Sequence, residues 1–325
     1  MFQRVYSVAH NAFVETIRQP IYAVILVATA VLMILNVSLA AFTLENDNKL
    51  LLDLGLSTLL LSGLFLAAFS AAGIVSREIE NKTALSVISK PVGRPTFILG
   101  KFLGLLAALA VAYYLSLLVF VLAVRHGVMQ NTSDPWDLPV LILGFGSLFL
   151  AIFLAGFCNY VYGRHFSTTA IGVLVPLLTV AVIVTGFFDE HFDPIPFGSN
   201  YVGGQIILAA YLVMLVVMIT AAVALAASTR LGQLGTLLIC TFVMGLGIVS
   251  DYALGQHREA SQLAGLAYRA VPNVGVFWVI DGLHAGTAET TVTFGYLGLT
   301  TAYAALITVA ILSLAVAAFQ KREVG

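Results

Sequence analysis

Long uncharged apolar runs alternate with short polar stretches along this chain. A helix needs about 20 apolar residues to cross hydrocarbon. Runs of about that length fall at 21–44, 50–75, 102–124, 138–162, 168–188, 203–227, 234–250 and 294–319, the second with Asp53 near its start. The pattern predicts an all-α, polytopic membrane protein of about six to eight transmembrane helices. The tight turns at 163–167 and 228–233 divide the readings. If both are real there are eight spans; otherwise there are six, with shorter dipping segments.

Three polar stretches have patterns of their own. In 1–20, Val5, Val8, Ala12 and either Phe13 or Val14 recur at helical spacing before Pro20 ends the run. This predicts an amphipathic helix lying on the membrane surface, separate from a single transmembrane domain at 21–325. With Arg4, His10, Glu15 and Arg18, the segment is too polar to be the apolar core of a cleavable signal. The stretch 252–293 mixes aromatic, Pro and Gly residues without the apolar length to cross. It predicts interfacial or re-entrant structure, with Tyr268 and Trp278 at headgroup depth.

The third stretch, 76–101, holds Arg77, Glu78, Glu80, Lys82, Lys90, Arg94 and Lys101. As a helix over 78–89 it puts Ile79, Thr83 or Ala84, and Val87 or Ile88 on one face. Ser76 would be its N-cap, in an incomplete capping box. Pro91 ends it, and 92–95 turn the chain into the next span. A plain basic loop accounts for the Lys and Arg residues. It does not account for Glu78 and Glu80, the apolar spacing or the proline turn. A short amphipathic lever between two spans accounts for all of them.

Composition narrows the function classes. The chain has 325 residues, 60% hydrophobic and 10% charged, with a mean hydropathy of +1.01. That is too little polar surface for a water-soluble globule. A net charge of -1 with no basic patch excludes a nucleic-acid partner. Cys158 and Cys240 lie in apolar runs and read as core thiols. With both termini in the cytoplasm, eleven Lys and Arg fall inside and four outside (Lys49, Arg125, Arg258 and Arg269). The bias places 76–101 in the cytoplasm. Asp53 and Asp251 lie near span ends, so the mid-membrane carboxylates of a secondary carrier are missing. Gly63, Gly144, Gly146, Gly172, Gly245 and Gly247 read as sites of close helix packing.

The run SREIENKTALSVISKPVGRPTFILGK at 76–101 resembles the loop between the second and third spans of type 2 ABC export permeases. It looks most like the branch with copper-enzyme-maturation and gliding-motility permeases. Glu78, Thr83, Leu85, Pro91, Arg94, Gly100 and Lys101 match that pattern. The segment YRAVPNVGVFWVIDGLHAG is similar to an extracytoplasmic segment before the last span in that branch, through Pro272, Asn273, Phe277 and Asp281. The resemblance implies that 1–20 is an elbow helix and that the cytoplasmic loop is a coupling helix seated in an ATPase subunit. Arg77, Glu78, Glu80, Thr83, Leu85, Ile88, Pro91, Arg94 and Lys101 would carry the coupling. It also implies a bacterial-type inner (plasma) membrane, a second permease copy or paralogue, and membrane lipid as partners.

No G-x-x-x-x-G-K-[ST] is present, so the expectation is a transport subunit that is not itself an enzyme. ATP and Mg would belong to the partner, with no cofactor bound by this chain. H-E-x-x-H and G-x-S-x-G are absent too, leaving no catalytic residue to name. Asp189, Glu190, His191 and Asp193 lie close together without a recognised ligand spacing, so no metal is assigned. The expected function is export across or out of the membrane, driven by a separate ATPase. Alternatives are a mechanotransmitting subunit acting on an extracytoplasmic protein, and a secondary carrier.

Overall fold

The computed structural model describes residues 2–41, 47–80, 93–129, 134–201, 204–256, 262, 265, 268, 271–279 and 292–320. The described residues form nine α-helices. These are α1 (Phe2–Ile17), α2 (Pro20–Ala40), α3 (Asp47–Glu80), α4 (Arg94–His126), α5 (Leu138–Tyr162), α6 (Phe166–Thr185), α7 (Gln205–Ser228), α8 (Gln233–Ser250) and α9 (Phe294–Gln320). A π-helical turn, Asp251–Gly255, extends α8, and a 3-10 turn spans Gly275–Phe277. All helices but α1 are long and apolar enough to cross a membrane, which makes eight candidate spans. Backbone groups in hydrocarbon must be satisfied within the segment, and helices do this.

Both turns that the pattern left open are real. Gly163 ends α5 at φ 62°, a left-handed conformation that glycine adopts without cost, and Asn159 Nδ2 donates to the Arg164 carbonyl at 2.6 Å. After α7, Thr229 and Arg230 bond back to the carbonyls of Ala226 and Ala227, and α8 begins at Gln233.

The helices divide into two compact units. The first comprises Met1–Ile21, Gly63–Leu109 and Ile207–Gly325. Within it α7, apolar all round, is buried along most of its length. It meets α3 where a Cβ on Gly63 would lie 2.4 Å from Val217, α8 through Thr220 Oγ1 to Met244, and α9 through the Tyr211–Thr301 hydroxyl pair. The second unit comprises Tyr22–Ser62 and Ala110–Ile206. There α5 and α6 form a hairpin, packed through Ser147, Ala151 and Ala155 of α5 and Ile171, Leu178 and Ala181 of α6. Asn36 donates to Thr58 across α2 and α3, and Phe120 fills the space over Gly55.

One local expectation is overturned. Ser76 does not cap a new helix, because α3 runs unbroken to Glu80. Ser-Arg-Glu-Ile-Glu contains no Gly or Pro, and extending an existing helix costs far less than nucleating another. At 34 and 33 residues, α3 and α4 are each ~50 Å long, well beyond the ~30 Å of hydrocarbon.

Candidate functional site

The site lies in the first unit, where α1 meets α4, the helix that follows the charged stretch. Arg77, Glu78 and Glu80 lie in the last turns of α3, and Arg94 opens α4. Thr83, Leu85, Ile88 and Pro91 lie outside the described residues. Pro95 occupies the second position of α4, where a missing N–H costs nothing.

Lys101, read from the sequence as the close of the loop, is a core residue. Its side chain is 2% exposed and reaches Glu15 Oε2 of α1 at 3.5 Å, with the Glu15 side chain 20% exposed. The ammonium also lies 5.7 Å from the centre of the Phe97 ring, a cation–π arrangement. Gly100 and Gly104 flank Lys101 one turn apart. A Cβ on Gly100 would stand 2.7 Å from Val8 and 3.2 Å from the Val5 carbonyl, and one on Gly104 would stand 2.2 Å from the Ala9 carbonyl. The backbones of α1 and α4 therefore touch, and neither glycine tolerates a side chain without moving α1. Small residues four apart let helices approach in this way.

The apolar face of α1 is the predicted one, with Ala12 buried and Val5 and Val8 half-buried. Along that face Val5, Val8, Ala9 and Ala12 pack against α4 at Gly100 and Gly104. Phe2 and Tyr6 are left exposed. The start of α4 also meets the end of α9, where Phe97 and Phe319 stack at 5.6 Å. Arg230 donates to the Ala318 carbonyl at 2.7 Å, satisfying a C-terminal acceptor of α9.

Gly-x-x-x-Gly at 100–104 was the available signal; in the sequence Gly100 counted only toward the family resemblance, and Gly104 was not singled out. Of the glycines singled out for packing, Gly63 and Gly247 are in tight contact and Gly144 in ordinary contact. Gly146, Gly172 and Gly245 face open space.

Pro272, Asn273 and Phe277 of the second motif are buried in the first unit, and Asp281 lies outside the described residues. The Asn273 backbone N–H donates to Tyr303 Oη at 3.0 Å, and its Nδ2 donates to Asp251 Oδ1 at 2.7 Å. Tyr268 Oη donates to the same carboxylate oxygen at 2.7 Å. Phe277 lies against Tyr303, and Tyr296 donates to the Val276 carbonyl. A Cβ on Gly247 would meet the Pro272 carbonyl at 2.5 Å, so the segment rests directly on the α8 backbone. Trp278 is half-buried.

In the second unit, Arg125, counted in the sequence among the outer-loop cations, lies in the last turn of α4 and is buried. Its side chain is 1% exposed; Nε donates to Asp137 Oδ2 at 3.0 Å, Nη2 to the Phe188 carbonyl at 2.8 Å, and Nη1 to the Thr185 carbonyl. Asp137 in turn caps α5 through the Val140 N–H. The Asp189 carboxylate accepts the backbone N–H groups of Asp193 and His191, each at 2.8 Å, which holds its pKa below the ordinary carboxylate value. That carboxylate is committed to shaping its own loop.

Eight helices long and apolar enough to cross a membrane, with an N-terminal helix wedged onto one of them, are the architecture of a multi-pass membrane protein. The chain matches the family model described as ABC-2 family transporter protein over residues 6–186, more than half its length, and it belongs to that family. It is therefore the permease subunit of an ABC transporter, a kind of subunit that works with an ABC ATPase. The match runs from α1 to the end of α6, so Pro272, Asn273 and Phe277 lie beyond it. No curated protein matches the chain.

Proposed function

We propose that this permease takes up the nucleotide-driven movement of a separate ATPase at the α3–α4 connection and uses it to export a substrate. ATP and Mg would sit in that partner. The observation that carries this reading is the docking of α1 on α4 through Gly100, Lys101 and Gly104, directly after the charged stretch. A push on the connection would move α4 together with α1, and through Phe97 and Phe319 it would reach the last span. The sequence expectation of a lever on two spans thereby widens to include α1 and α9.

In this reading both termini and the connection face the cytoplasm of a bacterial-type cell, and the chain works beside a second permease copy or paralogue. The run at 76–101 supports assignment to the branch with copper-enzyme-maturation and gliding-motility permeases. A second reading, force transmission to an extracytoplasmic protein, draws on the Pro272–Phe277 segment. That segment is anchored on α8 and α9, so movement of those spans would reach it.

The test is co-purification with the partner ATPase, followed by Leu85→Asp and Glu78→Lys. Both variants are expected to insert normally and to lose stimulated ATP hydrolysis. Full stimulation in both would remove the connection as the coupling element. Substrate accumulation in inverted vesicles separates the two readings: export requires ATP-dependent uptake, and force transmission gives none.

A further inference from the structure

The second unit carries a group of exposed aromatic side chains at one level. Arg125 defines that level, because its guanidinium bonds Thr185 at the end of α6, Phe188 three residues beyond it and Asp137, the N-cap of α5, together. Beside those anchor points stand Trp136, next to Asp137, and Phe187, next to Phe188. Phe187 packs on Phe197 with ring centres 4.9 Å apart. Trp136 is 58% exposed, Phe187 47% and Phe197 61%, a large apolar area for one loop layer.

The loop that bears Phe187 and Phe197 is closely hydrogen-bonded within itself. Phe188 and Pro194 form an isolated bridge, the Ile195 N–H donates to the Phe187 carbonyl at 2.9 Å, and the Gly198 N–H donates to the Gly186 carbonyl at 3.1 Å. Tyr201 donates to the Val182 carbonyl and lies 5.6 Å under the Arg125 guanidinium. The loop is also polarised along its length. The aromatic pair lies at its base, whereas the tip carries Glu190 and His191, whose side chains are 49% and 61% exposed.

We propose that Trp136, Phe187 and Phe197 form a plate buried at the boundary between acyl chains and headgroups, with the 189–193 tip in water. Continuity with the lipid-facing spans selects this partner. Exposed Leu138 and Ile142 of α5 and Val180 and Ile183 of α6 lead up to Trp136 and Phe187 without a polar break. Aromatic rings with an amphipathic setting settle at this depth. Arg125 can lie just beneath because its donors meet protein oxygens, so it needs no water. The loop would therefore hold a membrane boundary, leaving the charged tip as its water-facing surface.

The test uses the full chain reconstituted alone in liposomes. The sequence has two tryptophans, so Trp278→Phe leaves Trp136 as sole reporter. A second reporter is Phe197→Trp in a chain that also carries Trp136→Phe and Trp278→Phe. Lipids brominated high on the acyl chain should remove most of the emission of both reporters. Lipids brominated near the chain end should remove about half as much or less, and aqueous iodide should have little effect. Quenching by iodide and not by bromine would overturn the plate, since the surface would face water. Resistance to both would overturn it too, since protein would then cover the rings. If the Phe197→Trp chain does not insert, Trp136 alone decides.

Discussion

Among the described residues each unit contains one buried cation, and the two are held differently. Arg125 spends its rigid fork on a carboxylate at 3.0 Å, the Thr185 carbonyl at the end of α6 and the loop carbonyl of Phe188, so it ties the start of α5 to the end of α6 and the loop that follows. Lys101 is a point charge on a flexible stem, 3.5 Å from a partly exposed Glu15 and resting beside an aromatic ring. Around Lys101 the close contact is backbone to backbone, through Gly100 and Gly104. Such a joint can slide or rotate while the chains stay apposed, whereas the Arg125 cluster would have to unpair completely. In the proposed coupling, the second unit would supply rigidity and the first would transmit the movement.

The sharpest way to break the comparison is Arg125→Met. It strands the Asp137 carboxylate and two carbonyls in a buried place, and the expected loss is about 3–5 kcal/mol of stability. A lowered melting temperature of the purified complex would show it, with poor insertion as the extreme result. Gly104→Val should act next. Its Cβ would meet the Ala9 carbonyl, forcing α1 away at a cost of about 1–3 kcal/mol. The expected phenotype is an assembled protein with uncoupled ATP hydrolysis. Equal losses of assembly and activity would instead make the contact purely structural.

Lys101→Met should cost less than Arg125→Met, about 1–3 kcal/mol, because Glu15 can turn toward solvent. The reciprocal pair Lys101→Glu with Glu15→Lys should recover part of the coupling if the attraction matters, and none if only packing does.

The smallest effect concerns the second unit's loop. The carboxylate of Asp189 has a lowered pKa in the folded loop, so its two backbone hydrogen bonds help above the ordinary carboxylate pKa. That help fades as pH falls through the lowered value. Amide exchange at His191 and Asp193 should speed up on acidification in the parent and be pH-insensitive in Asp189→Ala, apart from intrinsic exchange.

Much of the architecture was legible in the sequence, because hydrocarbon imposes a length and a composition that few other folds share. The series of long apolar helices and the apolar stripe Val5–Val8–Ala12 follow from local pattern, whereas the choice between six and eight spans waited on the turns at Gly163 and after Ser228. Only the tertiary structure decided which polar and small residues have neighbours. Lys101 and Arg125 were two votes in a charge count, yet both are buried, because burial depends on which helix lies opposite. The same holds for glycine: Gly100 and Gly104 press on another backbone, while Gly146 and Gly172 face open space. Spacing along one helix fixes a face, and packing depends on what a distant part of the chain brings to it.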